Sequence, residues 1–294
     1  MFRYLTQYIH RLSMVAVAVL TLTFATQAST EDSTAKADEM RIYSLLTKIN
    51  LRNSEQQNNL YNDTILSLVE VMVQKDYIRE HKFDSLKNMM SILDAPDKSF
   101  RILNWAYPLK NGTFKYYAYI IRRNTDKANE VFALNDDSDS IQNPLKQTLN
   151  KNSWYGCLYY ELLHNVHHKR DIYTLLGWDG QDLFTNQKIV EVLTFSRAGQ
   201  PVLGKTMFTG PFAKYKRVML QYSEKSSMTL SYNREKEMII FDHLSPAKPS
   251  YTGHYEYYGA DFSFDAFIFE DGKWKYTSDV DIRLEKPKKK KTKQ

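Results

Sequence analysis

The sequence has a single cysteine, Cys157, among its 294 residues. One cysteine excludes an intramolecular disulfide. Cys157 lies in the segment WYGCLYYELL, among aromatic residues, with no lysine or arginine close in sequence to lower the pKa of its thiol. The sequence therefore predicts a buried thiol that behaves as a small apolar side chain, and not a nucleophile.

The sequence also lacks an apolar run long enough to cross a bilayer. The longest one, Met14–Ala25, is short, follows Arg3 and Arg11, and is followed by small residues up to Ala28. This order predicts a signal peptide over residues 1–28 and a periplasmic or secreted protein, with an uncleaved anchor as the alternative. No cysteine lies near the predicted cleavage point, so a lipid anchor is not indicated.

An excess of positive charge is missing from the body of the chain, although the formal net charge is +6. Six lysines lie in residues 286–294 and two arginines lie in residues 1–28. The remaining residues are close to neutral, which argues against a basic nucleic-acid-binding face. Residues 286–294 are predicted to form a disordered lysine-rich tail, and contact with an anionic surface is the alternative function for it.

Four common enzyme signatures are absent from the sequence. The chain contains no GxSxG, HExxH, Walker A or GxGxxG motif. The sequence therefore gives no support to a serine hydrolase of that class, a zincin, a P-loop enzyme or a dinucleotide-binding enzyme. No cofactor is expected.

The N-terminal part of the chain has the periodicity of helices. Residues 29–37 are polar and are predicted to form a flexible leader. Residues 38–95 are predicted to be helical, because Ile42 and Ile49 lie on one helical face and Ser54 begins a capping box that Gln57 completes.

From residue 98 to residue 283 the pattern changes to short aromatic and β-branched segments separated by turn residues. Short strands joined by short turns predict an antiparallel meander, because parallel pairing needs long crossovers. We therefore expect a mainly β fold with an N-terminal helical segment. The β domain is predicted to be an irregular propeller-like sheet, a sandwich or a barrel.

The stretch DIYTLLGWDGQD contains the first candidate site. Asp179-Gly180 is typical of a hairpin turn, in which aspartate bonds its own backbone and glycine takes a positive φ. The strand before it, Ile172–Trp178, is apolar on both faces and should be covered on both. A metal or catalytic role for Asp179 and Asp182 is the weaker alternative, because Gly177 and Trp178 stand where a calcium loop needs oxygen ligands.

Two further candidates lie in the stretch YTGHYEYYGADFSFD. Asp261 and Asp265 would share one face of a strand and could hold a hard cation, although a solvated strand face is favoured. Tyr255, Tyr257 and Tyr258 belong to residues 251–262, the densest aromatic stretch that looks exposed, which could form a sugar-binding platform. Aromatic residues in a core are commoner than such platforms.

A metal pair is the last candidate. Glu161 and His164 have the spacing of a helical Glu-x-x-His motif. The residues around them, LYYELL, favour a strand, which would place the two side chains on opposite faces. We therefore expect no metal at this pair.

Several segments resemble, in order, uncharacterised exported proteins of the Bacteroidota group. They are SILDAPDKSFRILNW, WYGCLYYELL, IYTLLGWDG, KIVEVLTF, IIFDHLSP and YYGADFSFDAFIFEDGKWKY, and the resemblance covers roughly residues 80–282. The resemblance implies an exported β-rich protein and carries no activity, cofactor or binding residue. The lysine tail departs from that group.

These observations together predict an exported binding or envelope-associated protein without catalytic activity. The alternative is a hydrolase that acts on glycans or cell-wall material. An enzyme should gather carboxylates or a histidine in one deep pocket, and a binding module should show a shallower aromatic or polar surface.

Overall fold

A computed structural model describes residues 31–122 and 128–282. These residues form two compact units: a helical unit of residues 31–90, 121–122 and 128–131, and a β unit of residues 91–120 and 132–282. The predicted signal peptide lies outside the described residues, as does the lysine tail. No helix in the described residues is long and apolar enough to cross a membrane.

The helical unit contains α1, over residues 31–46, and α2, Glu55–Met72. Ser54 caps α2 by accepting a hydrogen bond from the backbone N–H of Gln57 at 3.1 Å, so the predicted cap is confirmed on the serine side. The buried side of α2 includes Ile65, Val69 and Met72. Two 3-10 turns follow, Asp76–Arg79 and Asp84–Leu86.

The prediction of a flexible leader is wrong for residues 31–37, which form the first turns of α1. The physical reason is burial: Ala35, Glu39, Ile42 and Leu46 repeat at helical spacing and are all buried. Glu39 is the polar residue of this stripe. Because the predicted leader is polar in composition, the sequence did not reveal the buried face of the helix.

Hydrogen bonds compensate the burial of the Glu39 carboxylate. It accepts from the Ser85 N–H at 2.5 Å, from His81 Nε2 at 2.9 Å and from Lys36 Nζ at 3.0 Å. Burial alone would raise the pKa of Glu39. The hydrogen bonds from His81, Ser85 and Lys36 together outweigh this effect and lower the pKa to about 2.

The strands form three open antiparallel sheets, as the meander pattern predicted. The first sheet has the order β1-β2-β3-β4, the second contains β5-β9-β8-β7-β6 with β10 also paired to β8, and the third has the order β11-β12-β13-β14. The strands are β1 Ser91–Asp94, β2 Phe100–Pro108, β3 Phe114–Arg122, β4 Glu130–Leu134, β5 Leu149–Asn150, β6 Leu158–His167, β7 Arg170–Asp179, β8 Thr185–Phe195, β9 Pro201–Leu203, β10 Arg217–Ser223, β11 Leu230–Asn233, β12 Met238–Pro246, β13 Tyr258–Glu270 and β14 Lys273–Thr277.

The predicted helical segment extends past the start of the first strand. Residues 91–94 lie in the predicted helical segment 38–95 but form β1, which pairs with β2 in the register Ile92↔Leu103. Cross-strand pairing therefore overrides the local sequence pattern there.

The second sheet is covered on both faces. Tyr173 and Leu175 of β7 pack in one core cluster with residues of the first sheet, such as Phe100. Ile172 and Leu176 pack in a second cluster with residues of the third sheet. The two-sided apolar pattern of Ile172–Trp178 therefore predicted its environment correctly: it is a central strand between two layers.

Candidate functional site

A buried carboxyl group at the end of β7 is the centre of the candidate site. Asp179 is the last residue of that strand and only 7% of its surface is exposed. The Tyr116 hydroxyl donates to its Oδ1 at 2.8 Å, and the Tyr155 hydroxyl lies 3.0 Å from its Oδ2. Tyr116 in turn accepts from the Gly180 N–H at 2.8 Å, which fixes the phenol. Both carboxylate oxygens therefore have a tyrosine partner.

A second set of contacts orients Tyr155. Its hydroxyl also lies 3.1 Å from Gln181 Oε1, so Asp179 and Gln181 compete for one proton. The Gln187 side-chain amide donates to the same Gln181 oxygen. Because Gln187 is the cross-strand partner of Asp179, the register of β7 and β8 brings this network together.

Burial raises the pKa of Asp179 to about 6. The hydrogen bonds from Tyr116 and Tyr155 lower it, and the negative charges of Asp136 and Asp182 raise it again. Among the described residues, no lysine, arginine or histidine makes a hydrogen bond or ion pair with Asp179. The group therefore changes charge close to neutral pH, with neutral hydroxyl donors as its partners in the chain.

Asp179 lines a cleft of about 830 Å³. Residues 135–140, with the sequence NDDSDS, form an acidic rim that contains Asp136, Asp137 and Asp139. Phe114 and Tyr117 of β3 supply aromatic rings to the lining. The cleft thus combines several carboxylate oxygens with apolar ring surface.

The acidic rim is held in a defined conformation. Asp136 Oδ1 accepts from the Ser138 hydroxyl at 2.6 Å and from the Gly156 N–H at 3.2 Å, and residue 136 forms a β-bridge with Trp154. A Cβ atom on Gly156 would lie 2.2 Å from Asp136 Oδ2, so only glycine allows this approach. The carboxylate of Asp136 is therefore positioned by the backbone.

The predicted hairpin exists, but Asp179 is not its turn residue. β7 and β8 are joined by residues 180–184, and Asp182 makes the local bonds: its Oδ1 accepts from the N–H groups of Phe184 and Thr185, both at 2.7 Å. Gly180 does not have the positive φ that the turn pattern predicted. A Cβ there would lie 2.3 Å from the Phe114 ring, so the glycine is needed for close packing.

Glu161 and His164 are separated, as the strand interpretation predicted. Both lie on β6, and Glu161 Oε2 accepts from the Tyr232 N–H at 3.0 Å. His164 Nε2 instead lies 2.9 Å from Asp171 Oδ1. The Glu-x-x-His spacing therefore does not form a shared site here.

The expected solvated face of Asp261 and Asp265 is not observed, because the strand is irregular. The register of β12 and β13 shifts opposite His243, and Phe262 has φ +70° and a 94% exposed surface. Asp265 is buried and accepts from the Tyr276 hydroxyl and contacts His243 Nδ1, both at 2.9 Å. Asp261 is exposed and accepts from the Ser263 hydroxyl at 2.7 Å.

The three candidate tyrosines lie near one another but pack ring against ring. Tyr257 stacks on Tyr251 with the centroids 4.3 Å apart, and Tyr255 lies 5.0 Å from Tyr258. Tyr255 and Tyr257 remain partly exposed. This surface is separate from the cleft, whose lining includes Asp179 but not the other candidates Tyr255, Tyr257, Tyr258, Asp261, Asp265, Asp182, Glu161 or His164.

Sequence reasoning missed the partners of Asp179. Tyr116 and Tyr155 are 63 and 24 residues away from it, and no local pattern connects them. The acidic segment NDDSDS is visible in the sequence, but no local pattern connects it with Asp179. Its position between two buried strand segments was the available signal.

No protein-family model matches the chain, and no curated protein matches it as a relative. A function must therefore be inferred from the geometry of the site.

Proposed function

We propose that the protein is an exported binding protein whose Asp179 cleft takes a ligand rich in hydrogen-bond donors, such as a glycan that carries hydroxyl and amino groups. The observation that carries this proposal is the Asp179 carboxyl. It is buried in the wall of a cleft of about 830 Å³, and within the described part of the chain its hydrogen-bond donors are two neutral tyrosine hydroxyls.

The chemistry of the lining supports a donor-rich ligand. The carboxylates of Asp136, Asp137, Asp139 and Asp179 offer acceptor oxygens, and ligand pockets use a few such groups to fix orientation. An amino group would add a charge-assisted hydrogen bond, which is stronger than a neutral one. The ring of Phe114 offers apolar surface for the carbon face of a sugar.

Charge provides the test of ligand class. Isothermal titration calorimetry should rank glucosamine oligomers above neutral N-acetylglucosamine oligomers, and anionic galacturonate oligomers should not bind. Asp179→Ala should weaken glucosamine binding at least about ten-fold, which corresponds to about 1.4 kcal/mol. Asp271→Asn is the matched control, because Asp271 is exposed and pairs with Lys275 outside the cleft. Equal affinity of Asp179→Ala and the parent protein would contradict the proposal, as would a preference for galacturonate.

A second function, hydrolysis of a glycosidic bond, is favoured by one specific observation. A carboxyl group with a pKa of about 6 beside a second carboxylate is the arrangement of a general acid and its partner. Asp179 would be the acid and Asp136 the partner. Release of reducing ends from oligosaccharides, with an alkaline limb near pH 6 that disappears in Asp179→Asn, would establish it. Binding of oligosaccharides without release of reducing ends would support the binding function and contradict hydrolysis.

Export is also proposed, on the order of charged, apolar and small residues in 1–28 and on the resemblance described above. The N-terminus of the protein from its native host should be Ser29 or a close neighbour. Recovery of Met1 in the membrane fraction would contradict cleavage.

We propose an anionic surface as the partner of the lysine tail, residues 286–294. Each lysine near such a surface contributes about 1 kcal/mol, which salt screens. The chain without these residues should therefore sediment less with anionic vesicles at low salt and equally at high salt. Equal binding at low salt would remove this role.

A further inference from the structure

We propose that Asp97, His164 and Asp171 form a binding site for a divalent first-row transition-metal ion, Zn²⁺ foremost. The three residues each offer one donor atom, and these atoms all lie within 4.8 Å of one another. His164 Nε2 lies 2.9 Å from Asp171 Oδ1 and 3.9 Å from Asp97 Oδ2. The site is independent of the Asp179 cleft.

The distances fit a shared ion. Zinc binds imidazole nitrogen and carboxylate oxygen at about 2.0–2.2 Å, so tetrahedral ligands lie about 3.4 Å from one another. The distances from His164 Nε2 to Asp171 Oδ1 and to Asp97 Oδ2, 2.9 Å and 3.9 Å, lie below and above this ligand–ligand separation. A small side-chain rotation of the exposed Asp171 would complete the three-ligand set. One nitrogen and two oxygens favour a first-row transition metal over Ca²⁺ or Mg²⁺, which prefer oxygen alone.

The framework around the three donors is rigid. His164 lies on β6 and Asp171 on β7, and these strands pair directly. Asp97 lies between β1 and β2, where the Tyr173 hydroxyl donates to its Oδ2 at 2.7 Å and the Ser99 hydroxyl donates to its Oδ1 at 2.8 Å.

Tyr173 also holds the imidazole. Its ring stacks on His164 with the centroids 4.8 Å apart and an angle of 17° between the planes. One buried tyrosine thus orients two of the three donors, which is the role of the outer residues in metal sites. The partly exposed carboxylates leave one side open to water.

The test uses the untagged protein and the metal alone. Titration with ZnCl₂ should give one high-affinity site per chain, and Co²⁺ should give a visible absorption band at the same stoichiometry. CaCl₂ should not compete. His164→Asn and Asp171→Asn should each weaken Zn²⁺ binding at least about ten-fold. Asp171 is exposed, so its variant should fold as the parent does.

His254→Asn is the matched control, because His254 contacts a single carboxylate, Glu256, at 3.7 Å. Tyr173→Phe keeps the stacked ring but removes the hydroxyl donor, and it should weaken binding about 10–100-fold without abolishing it. Unchanged Zn²⁺ affinity in both His164→Asn and Asp171→Asn would overturn the proposal, as would saturation by Ca²⁺ at equal affinity or the absence of a high-affinity site.

Discussion

Two buried carboxyl groups on adjacent strands of the second sheet differ in the charge of their hydrogen-bond partners. Glu191 of β8 is 1% exposed and accepts from Arg217 Nε at 2.9 Å. Arg217 also donates to the backbone carbonyls of Gln147 at 3.1 Å and Leu203 at 3.3 Å. Asp179 of β7 is almost as buried, yet its partners are neutral tyrosine hydroxyls.

The difference separates a structural charge from one that can serve a ligand. A buried carboxylate is stable only when a countercharge and hydrogen bonds compensate its desolvation. Arg217 supplies the countercharge for Glu191 within the chain, although burial still raises the pKa of Glu191 and its Oε1 has no hydrogen-bond partner among the described residues. Asp179 has two hydroxyl donors but no countercharge among the described residues, and it borders a cleft, so a ligand can supply the positive charge.

The largest effect should come from breaking the Arg217–Glu191 ion pair. Arg217→Met removes the countercharge of Glu191 and should lower the free energy of unfolding by about 3–5 kcal/mol. Urea denaturation measures it. The double variant Arg217→Met/Glu191→Gln should recover part of the loss, because no uncompensated charge remains. A loss below about 1 kcal/mol in the single variant would show that Glu191 is not held by Arg217.

The next effect concerns the wall of the cleft. A Cβ on residue 180 would lie 2.3 Å from the Phe114 ring, so Gly180→Ala should lower the free energy of unfolding by about 1–3 kcal/mol. The same change in a Phe114→Leu background should cost clearly less. If the penalty is the same in both backgrounds, close packing against Phe114 is not the reason for the glycine.

A smaller effect is the pH dependence of stability that Asp179 produces. Its folded-state pKa, about 6, lies above the ordinary 3.8, so its contribution is fully present below pH 3.8 and is lost as pH rises through 6. Between pH 5 and pH 7 this loss is about 1 kcal/mol. Unfolding curves of the parent protein and Asp179→Asn should differ in pH slope over that interval. Parallel slopes would contradict the raised pKa.

The smallest effect concerns Asp182, in the loop between β7 and β8, which should stabilise the loop without taking part in ligand binding. Asp182 accepts two backbone N–H groups and lies outside the cleft lining. Asp182→Ala should therefore lower the free energy of unfolding by about 1 kcal/mol and leave glucosamine affinity within two-fold, or about 0.4 kcal/mol. A ten-fold loss of affinity would move Asp182 into the binding site.

The sequence predicted those parts of the fold that depend on local pattern. The cap at Ser54 and the two-sided burial of Ile172–Trp178 follow from spacing and composition alone. The helical state of residues 31–37 was missed because a buried Glu39 made the segment look solvated. The irregular pairing at Phe262 was missed because alternation cannot show a register shift.

The candidate site was less accessible to sequence reasoning. Asp179 was singled out, but as a turn residue, because Asp-Gly commonly forms hairpins. Its actual environment depends on Tyr116 from another sheet and on Tyr155 before β6, and tertiary packing alone brings these residues together. The same is true of Asp97, which meets His164 only in the folded protein.

The pKa of Asp179 can be measured by ¹³C NMR of the aspartate carboxyl carbons. We expect one resonance that titrates near pH 6 and is absent from Asp179→Asn. Its pKa should shift to lower pH when a glucosamine oligomer binds, because the ammonium group stabilises the carboxylate. A pKa for this resonance near the ordinary 3.8, or one near 6 that saturating glucosamine oligomer leaves unchanged, would contradict an uncompensated, ligand-facing carboxyl.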